Sequence, residues 1–374
     1  MNIAFYAPLK SPTSGIPSGD RRMGRALINA LEFLGHNVEL ASEFKSREPS
    51  GDSSQQKALS AEGNLIAQKL VNTYRRNRKQ PDIWFTYHVY YKAPDWIGPY
   101  VSRELNIPYV ITEASHAPKR AGGPCDFNHR NVEQAIKQAD LVIGLNSLDA
   151  KCVKPLLNSK DRYLQLRPFI ELSIQNSFEK KEVRNSLARD FDLNLDGTWF
   201  LSVAMMRGGA KQKSYEVLAK SLRQIKKSDW NLIIAGDGPL RSNIEELFVG
   251  LPVTFVGQQV QDGISKLMIA SDIFLWPAVE EAYGMAILEA QSHGLPVIAS
   301  DSGGVGDIVR DDSTGILTKM GDVLAFTSAI EKLMASSDTG ARMSSNAQLT
   351  VKQEHSLEAA ATQLNKALTD LMNG

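Results

Sequence analysis

Two carboxylates, Glu281 and Glu289, flank a turn in the segment 276–290, which reads WPAVEEAYGMAILEA. A strand is predicted to end before the turn and a helix to begin near Gly284. Both carboxylates can then face one crevice, while the amides of Gly284 and Met285 point out of the helix N-terminus. Carboxylates accept hydrogen bonds from vicinal hydroxyls, so the pair suits a sugar or a ribose. The alternative is that Glu289 faces solvent.

A second candidate is the segment 202–213, SVAMMRGGAKQK, in which a predicted strand runs into a glycine-containing loop. The loop carries three cations, Arg207, Lys211 and Lys213. Fixed positive charges and backbone amides at a helix start suit a diphosphate. The segment lacks the G-x-x-x-x-G-K-[ST] pattern of a P-loop ATPase. A basic surface loop without a ligand is the alternative interpretation.

Two further glycine turns follow predicted strands. Gly236 and Gly238 form a G-x-G pattern without the third glycine of a dinucleotide site, so a nicotinamide-dependent dehydrogenase is not indicated. Gly303 and Gly304 form another strand-to-helix turn, where the backbone could approach a ligand closely. Each turn by itself is typical of an ordinary loop between a strand and a helix.

The elements that must position these residues are βα units. Short apolar runs alternate with amphipathic segments along the whole chain, which predicts parallel sheets. The predicted strands are Asn2–Ala7, Val38–Ala41, Asp82–Thr86, Tyr109–Thr112, Leu141–Leu145, Trp199–Ala204, Trp230–Ala235, Val253–Val256, Ile273–Trp276 and Val297–Ala299. The predicted helices include Arg21–Leu34, Ala58–Lys79 and one or two helices over Gly340–Leu371, and a mobile loop is expected over Phe44–Gln56.

Two successive series of strands imply an α/β protein of two doubly wound, Rossmann-like domains. We expect one domain over residues 1–172, a second over 173–350, and a C-terminal helix over 351–374 that packs back on the first domain. Open sheets of this kind bind ligands at the carboxyl ends of their strands, so the site is expected between the domains.

Composition narrows the class of protein. The chain has 374 residues, two cysteines and a formal net charge of zero, with neither a signal-peptide pattern nor an apolar stretch long enough for a membrane span. We therefore expect a cytoplasmic protein. Residues 1–172 hold 23 Lys and Arg against 17 Asp and Glu, which leaves peripheral contact with the inner face of a membrane open. No nucleic-acid motif accompanies the charge, and the six histidines show no close pair of zinc-ligand spacing.

Taken together, the ordered motifs of residues 199–320 resemble a retaining glycosyltransferase of family 4, which has the GT-B architecture of two Rossmann-like domains facing across a cleft. The similarity is carried by Arg207 with Lys213, by the turn at Gly236, by the E-x7-E pair and by Gly303. It implies transfer of a sugar from a nucleoside diphosphate sugar, without a cofactor or a bound metal. The acceptor is open, a glycan, a lipid-linked or a small molecule; alternatives are an epimerase-like GT-B enzyme and a non-catalytic sugar-nucleotide-binding protein.

The resemblance also implies roles for residues on the donor side. Arg207 and Lys213 would hold the diphosphate, with Lys211 as a rival to Lys213, and Glu289 would hold the ribose. Glu281 would hold the donor sugar. Its expected partners in donor binding are Ala282, Tyr283, Gly284, Met285, Gly236, Gly19, Gln258 and Gly303.

The sequence departs from the family pattern on both sides, and more on the acceptor side than on the donor side. A serine, Ser214, follows Lys213 where a glycine is usual, and the N-terminal glycine loop reads Pro17-Ser18-Gly19. His88 resembles the histidine that family members often place near the donor sugar, and is expected to take part in catalysis. The expected acceptor surface consists of two loops at strand ends, with Tyr87, Tyr90, Glu113, His116 and Arg120. The oligomeric state is not predicted.

Overall fold

The computed structural model describes residues 1–15, 18–172, 179–227 and 229–373. It contains twelve strands in these ranges: β1 Asn2–Tyr6, β2 Asn37–Ser42, β3 Ile83–Val89, β4 Tyr109–Ala114, β5 Leu141–Gly144, β6 Tyr163–Gln165, β7 Thr198–Val203, β8 Trp230–Ala235, β9 Val253–Gly257, β10 Ile273–Trp276, β11 Val297–Asp301 and β12 Gly315–Lys319.

The helices in the same ranges are α1 Gly19–Phe33, α2 Ser53–Asn77, α3 Gly98–Leu105, α4 Asp126–Gln138, α5 Ser147–Val153, α6 Lys180–Phe191, α7 Ala210–Leu222, α8 Arg241–Leu247, α9 Gln261–Ala270, α10 Met285–Ser292, α11 Val323–Ala335, α12 Ser337–Glu354 and α13 Leu357–Asn373. A 3₁₀ turn, Pro118–Arg120, follows β4 and ends at Arg120.

The chain divides into two units. Unit 1 consists of Met1–Phe169 and Leu357–Gly374, and unit 2 consists of Ile170–Ser356. Within unit 1, α13 packs against α1. Residues 173–178, where the sequence-based limit between the domains falls, lie outside the described residues.

Each unit is built on one six-stranded parallel sheet. The strand order is β2-β1-β3-β4-β5-β6 in unit 1 and β12-β11-β10-β7-β8-β9 in unit 2. The central strands are apolar and buried on both faces, as β8 shows with Leu232 to Ala235 fully buried, because helices cover both faces of a parallel sheet. This confirms the predicted fold class of two Rossmann-like sheets.

In each sheet the strand order changes side once. Successive strands are added first on one side of the first strand and then on the other, and this switch point lies between β1 and β3 in unit 1 and between β7 and β10 in unit 2. The loops that leave the carboxyl ends of two strands at such a point run to opposite sides, which opens a crevice for a ligand. The two crevices therefore lie at the loops after β1 and β3 and at the loops after β7 and β10.

Three local predictions differ from the structure. The edge strands β6 and β12 were not predicted, because short edge strands carry little apolar periodicity. Strands β3 and β4 continue to Val89 and Ala114, so Tyr87, His88 and Glu113 lie in strands. The loop expected over Phe44–Gln56 ends at Asp52, whose carboxylate caps α2 by accepting from the Ser54 and Gln55 amides.

Candidate active site

The crevice of unit 2 is bounded by the loop between β7 and α7 and the loop between β10 and α10. The two loops are tied together by Ser214, whose buried hydroxyl accepts a hydrogen bond from the Val279 amide at 2.9 Å and donates to Ala210 O. Ser214 stands where the family pattern has glycine. The structure therefore gives this departure a role in holding the two loops together.

Glu281 is the carboxylate at the centre of this crevice, with its side chain 15% exposed. Its Oε2 accepts from Lys211 Nζ at 2.5 Å and from Trp276 Nε1 at 3.1 Å. Lys211 also lies 5.1 Å from the centre of the Trp276 ring. Across the described part of the chain, the other oxygen of Glu281, Oε1, accepts no hydrogen bond, so it can accept one from a ligand hydroxyl.

The other two cations of the β7–α7 loop are exposed. Lys213 Nζ lies 3.1 Å from Glu280 Oε1, and both side chains are more than half exposed. Arg207 is exposed, and its guanidinium has no ion pair or side-chain hydrogen bond among the described residues. The structure thus brings Lys211, rather than Lys213, to Glu281, and leaves Arg207 and Lys213 accessible to an anion.

Close backbone packing explains the glycines of the next turn. A Cβ atom at Gly236 would lie 1.9 Å from Ala204 O, and one at Gly238 would lie 2.3 Å from Met206 O. Only glycine lets the β8–α8 turn approach the β7–α7 loop this closely. Gly236 therefore shapes the loop that carries Arg207.

Glu289 lies in the second turn of α10, is 5% exposed and accepts a hydrogen bond from Gln261 Nε2 at 3.2 Å. The alternative that Glu289 faces solvent is wrong. Gln261, at the start of α9, was not predicted, because only the strand order brings α9 to α10. Gln258 follows β9 and is exposed.

The loop before α10 has an unusual backbone. Ala278 and Glu280 have φ angles of 53° and 50°, which non-glycine residues rarely adopt, and Gly284 has a φ of 74° as the N-cap of α10. No side chain caps this helix N-terminus. The N-terminus of a helix attracts negative charge, so Ala282, Tyr283, Gly284 and Met285 frame a place for an anion or a polar ligand.

Gly303 supports this loop from the side. Its φ is 58°, and the next residue, Gly304, donates from its amide to Ala282 O at 2.8 Å. A Cβ at Gly303 would lie 1.7 Å from Glu281 O, which is impossible without movement of the Glu281 backbone. Gly303 thus fixes the position of Glu281 through packing.

We expect Gly303→Ala to destabilise the protein by about 2 kcal/mol and to weaken donor binding, because it combines a strained φ with a backbone collision. Gly321→Ala is the matched control: its φ is 78°, but nothing lies within 4 Å of the added Cβ. Thermal unfolding and ligand affinity of the two variants measure the difference. Equal melting temperatures and equal affinities would contradict the assigned role.

The crevice of unit 1 contains His88, at the end of β3. Its Nδ1 lies 3.3 Å from Asp20 Oδ1 and 3.6 Å from Glu113 Oε1. His88 and Glu113 have φ angles of 66° and 62°, a strained conformation that persists only where the surrounding structure holds the residues in place. Gly19 begins α1 next to Asp20, and Pro17 of the same loop lies outside the described residues.

His88 is charged at neutral pH. Burial favours the neutral imidazole, but Glu113 and Asp20 outweigh it and raise the pKa of His88 to about 9. A histidine that is already protonated cannot serve as a general base, although it can donate a hydrogen bond or stabilise negative charge.

This pKa predicts a pH-dependent stability. An unfolded histidine has a pKa near 6.5, so between about pH 6.5 and pH 9 the folded chain binds more protons than the unfolded chain, and stability falls as pH rises. His88→Asn, which tolerates the positive φ, should flatten this part of the curve. The melting temperature between pH 6 and pH 9.5 measures it, and parallel curves for both proteins would contradict the assignment.

The expected acceptor surface is only partly available. Tyr87 is 2% exposed, so its side chain is buried and is not part of the surface expected to bind the acceptor. His116 is 9% exposed and stacks on His129 with ring centres 4.7 Å apart. Tyr90 is half-buried beside His88, and Arg120 is exposed.

His116 and His129 also lie near Glu133, and the possible ligand atoms of the three residues are within 4.8 Å of one another. This group was not predicted from the sequence, because the two histidines are thirteen positions apart. Burial and the neighbouring His129 lower the pKa of His116. No helix in the described ranges is both long and apolar enough to cross a bilayer.

Comparison with known proteins places the clearest similarity in unit 2. Residues 198–336 match the family of group 1 glycosyl transferases. Sulfoquinovosyl transferase SQD2 of Arabidopsis thaliana is 34% identical over 131 residues, which is 34% of this chain and 25% of that protein. N-acetyl-alpha-D-glucosaminyl L-malate synthase of Bacillus anthracis is 22% identical over 293 residues, 76% of this chain and 74% of that protein.

The fold similarity extends over both units. The structure of HepE from Anabaena, in complex with UDP-glucose, covers 99% of this chain and 100% of its own, with a TM-score of 0.71 and 18% identity. The chain therefore resembles the GT-B glycosyltransferases in fold along its whole length and in sequence mainly in unit 2.

Proposed function

We propose that this protein is a retaining glycosyltransferase that moves a sugar from a nucleoside diphosphate sugar to a hydroxyl group of an acceptor. The observation that carries the proposal is the grouping of Glu281, Glu289, Arg207 and Lys213 around the crevice of unit 2. Two accessible cations suit a diphosphate, and two carboxylates suit the hydroxyls of a sugar and a ribose. The similarity of this unit to group 1 glycosyl transferases supports the same assignment.

In this proposal Arg207 and Lys213 bind the diphosphate and stabilise the charge that develops as it leaves. Glu289, oriented by Gln261, accepts hydrogen bonds from the ribose. Glu281 accepts one from the donor sugar through Oε1, while Lys211 and Trp276 hold its Oε2. Gln258 lies at the base or sugar side of the nucleotide.

The reaction needs no protein nucleophile. The bond between the anomeric carbon and the phosphate oxygen breaks, and the acceptor oxygen bonds to the anomeric carbon on the same face. The acceptor proton passes to the departing phosphate oxygen. We assign protonated His88 of unit 1 a supporting role, in which it supplies a positive charge and a hydrogen-bond donor, in line with its raised pKa.

The diphosphate is neutralised by side-chain cations in this scheme, so we propose that turnover needs no bound metal. Turnover in EDTA should equal turnover in buffer with added Mg²⁺. A loss of activity in EDTA that Zn²⁺ restores would contradict this and would direct attention to His116, His129 and Glu133.

A thermal-shift panel of UDP, GDP, ADP and their sugar conjugates tests the proposed function. A ligand at 100 times its dissociation constant adds about 2.7 kcal/mol to the stability of the folded state. We expect one base to give a clear shift that Glu289→Ala abolishes. A flat panel with folded protein would overturn the proposal, and release of the nucleotide without any acceptor would favour an epimerase-like reaction.

A further inference from the structure

Three cations surround two tyrosines at the end of β3 in unit 1. The Arg120 guanidinium lies 4.8 Å from the centre of the Tyr91 ring, and Lys92 Nζ lies 5.6 Å from it. The positive charge of Arg47 acts on the phenol of the neighbouring Tyr90, where it opposes the rise in the pKa of Tyr90 that burial causes. The two rings contact each other edge to face, with centres 5.6 Å apart. We call Arg47, Lys92, Arg120, Tyr90 and Tyr91 the tyrosine–cation cluster.

The partners that hold these cations carry no formal charge. An aromatic ring fixes a cation over its face, and a phenol accepts a hydrogen bond, but neither neutralises the positive charge. Among the residues that the structure describes, no carboxylate lies within ion-pair distance of Arg47, Lys92 or Arg120. The three cations are therefore held in place, and no ion pair with a described carboxylate neutralises their charges.

The nearby carboxylates are engaged elsewhere. Asp20 and Glu113 face His88. Glu48 accepts from the amides of Ser50 and Gly51 and from Gln56 Nε2, which lowers the pKa of Glu48. These carboxylates therefore have partners other than the three cations.

The backbone beneath the cluster is cross-linked by hydrogen bonds. Tyr90 and Ala93 exchange backbone hydrogen bonds, which closes the turn that carries Tyr91 and Lys92. The Glu48 amide donates to Lys92 O at 2.8 Å, and Ser46 Oγ donates to Pro94 O at 2.6 Å. The segment with Arg47 is thus fixed against the turn with Lys92. The backbone that carries these cations is therefore ordered before a ligand binds.

We infer that the tyrosine–cation cluster is a binding subsite for a phosphate group on the acceptor, so that the acceptor carries both a phosphate and the hydroxyl that receives the sugar. This inference rests on the proposed function in one respect only, that the molecule carrying the phosphate is the sugar acceptor. A phosphate monoester carries nearly two negative charges and three acceptor oxygens, which matches three cations, and arginine binds phosphate in a bidentate manner. The phosphate can belong to a free sugar phosphate or to a phospholipid headgroup.

The test measures phosphate binding directly, by ³¹P NMR line broadening of methyl phosphate. It uses full-length protein with Arg207→Ala and Lys213→Ala, which removes the cations assigned to the donor diphosphate. Adding Arg120→Gln and Lys92→Gln should raise the dissociation constant about tenfold or more. The matched control adds Arg76→Gln and Lys79→Gln, exposed cations on and just after α2, and should leave the constant unchanged.

A second arm uses sedimentation with phosphatidylinositol vesicles, compared with phosphatidylcholine vesicles. Binding in either arm that is lost in the Arg120 and Lys92 variant and kept in the control supports the subsite, and the arm that responds identifies the source of the phosphate. Equal weakening in both variants, or no binding in either arm, overturns it. Neither arm needs a donor or turnover, so a flat nucleotide panel would overturn the proposed function without deciding the subsite.

Discussion

Arg207→Ala and Lys213→Ala should each lower kcat by about 100-fold or more, the loss seen when one preorganised donor to a transition-state charge is removed. Both side chains are exposed at the end of β7 and the start of α7, so neither substitution removes buried contacts. The thermal stability of both variants should therefore stay close to that of the unmodified protein. Steady-state kinetics with the donor identified by the nucleotide panel measures the effect.

Lys220→Ala is the control for this pair, because Lys220 is exposed on the same helix two turns further on. It should leave kcat within a factor of two or so, since exposed charges far from the diphosphate are screened. Near-normal rates in both Arg207→Ala and Lys213→Ala would remove the diphosphate assignment. A larger loss in Lys211→Ala than in Lys213→Ala would transfer the role to Lys211, which the structure holds on Glu281.

Glu289→Gln should weaken the binding of the free nucleotide by about 10- to 100-fold, because hydrogen bonds to charged groups contribute about 1.5–3 kcal/mol. The substitution keeps the size of the side chain and removes only its charge. Turnover should fall with the nucleotide affinity. Calorimetric titration with the nucleoside diphosphate measures the first effect separately from the second.

Glu246→Gln provides the matched change of charge at an exposed position of unit 2, on α8, and should leave nucleotide affinity unaltered. If Glu289→Gln binds the nucleotide as tightly as the unmodified protein does, Glu289 has a structural role only. A fall in melting temperature without a change in affinity would lead to the same conclusion, because Gln261 then stabilises the contact between α9 and α10.

The strand pattern was predictable wherever a strand is central. β8 and β10 have the predicted limits, because an apolar run bounded by polar or turn residues is a local signal. The edge strand β12 and the extension of β3 to Val89 were not, since both depend on pairing with a neighbour: β12 with β11, and β3 with β4 up to Ala114. Pairing with a strand that is distant in sequence leaves no periodic apolar pattern in the residues of the paired strand itself.

The candidate site divides in the same way. The sequence by itself determined which residue types stand at each turn: the cations of the β7–α7 loop, the carboxylates Glu281 and Glu289, and the glycines that permit close packing. Turn chemistry and helix starts are local properties, readable within about ten residues.

Only the tertiary structure decided which of these groups meet. Lys211 and Glu281 are seventy positions apart and are joined because β7 and β10 are neighbours in the sheet. Glu113 lies twenty-five positions from His88 and reaches it because β3 and β4 are paired. Ion pairs and the pKa values they set depend on strand order, which long-range burial selects and no short stretch of sequence encodes.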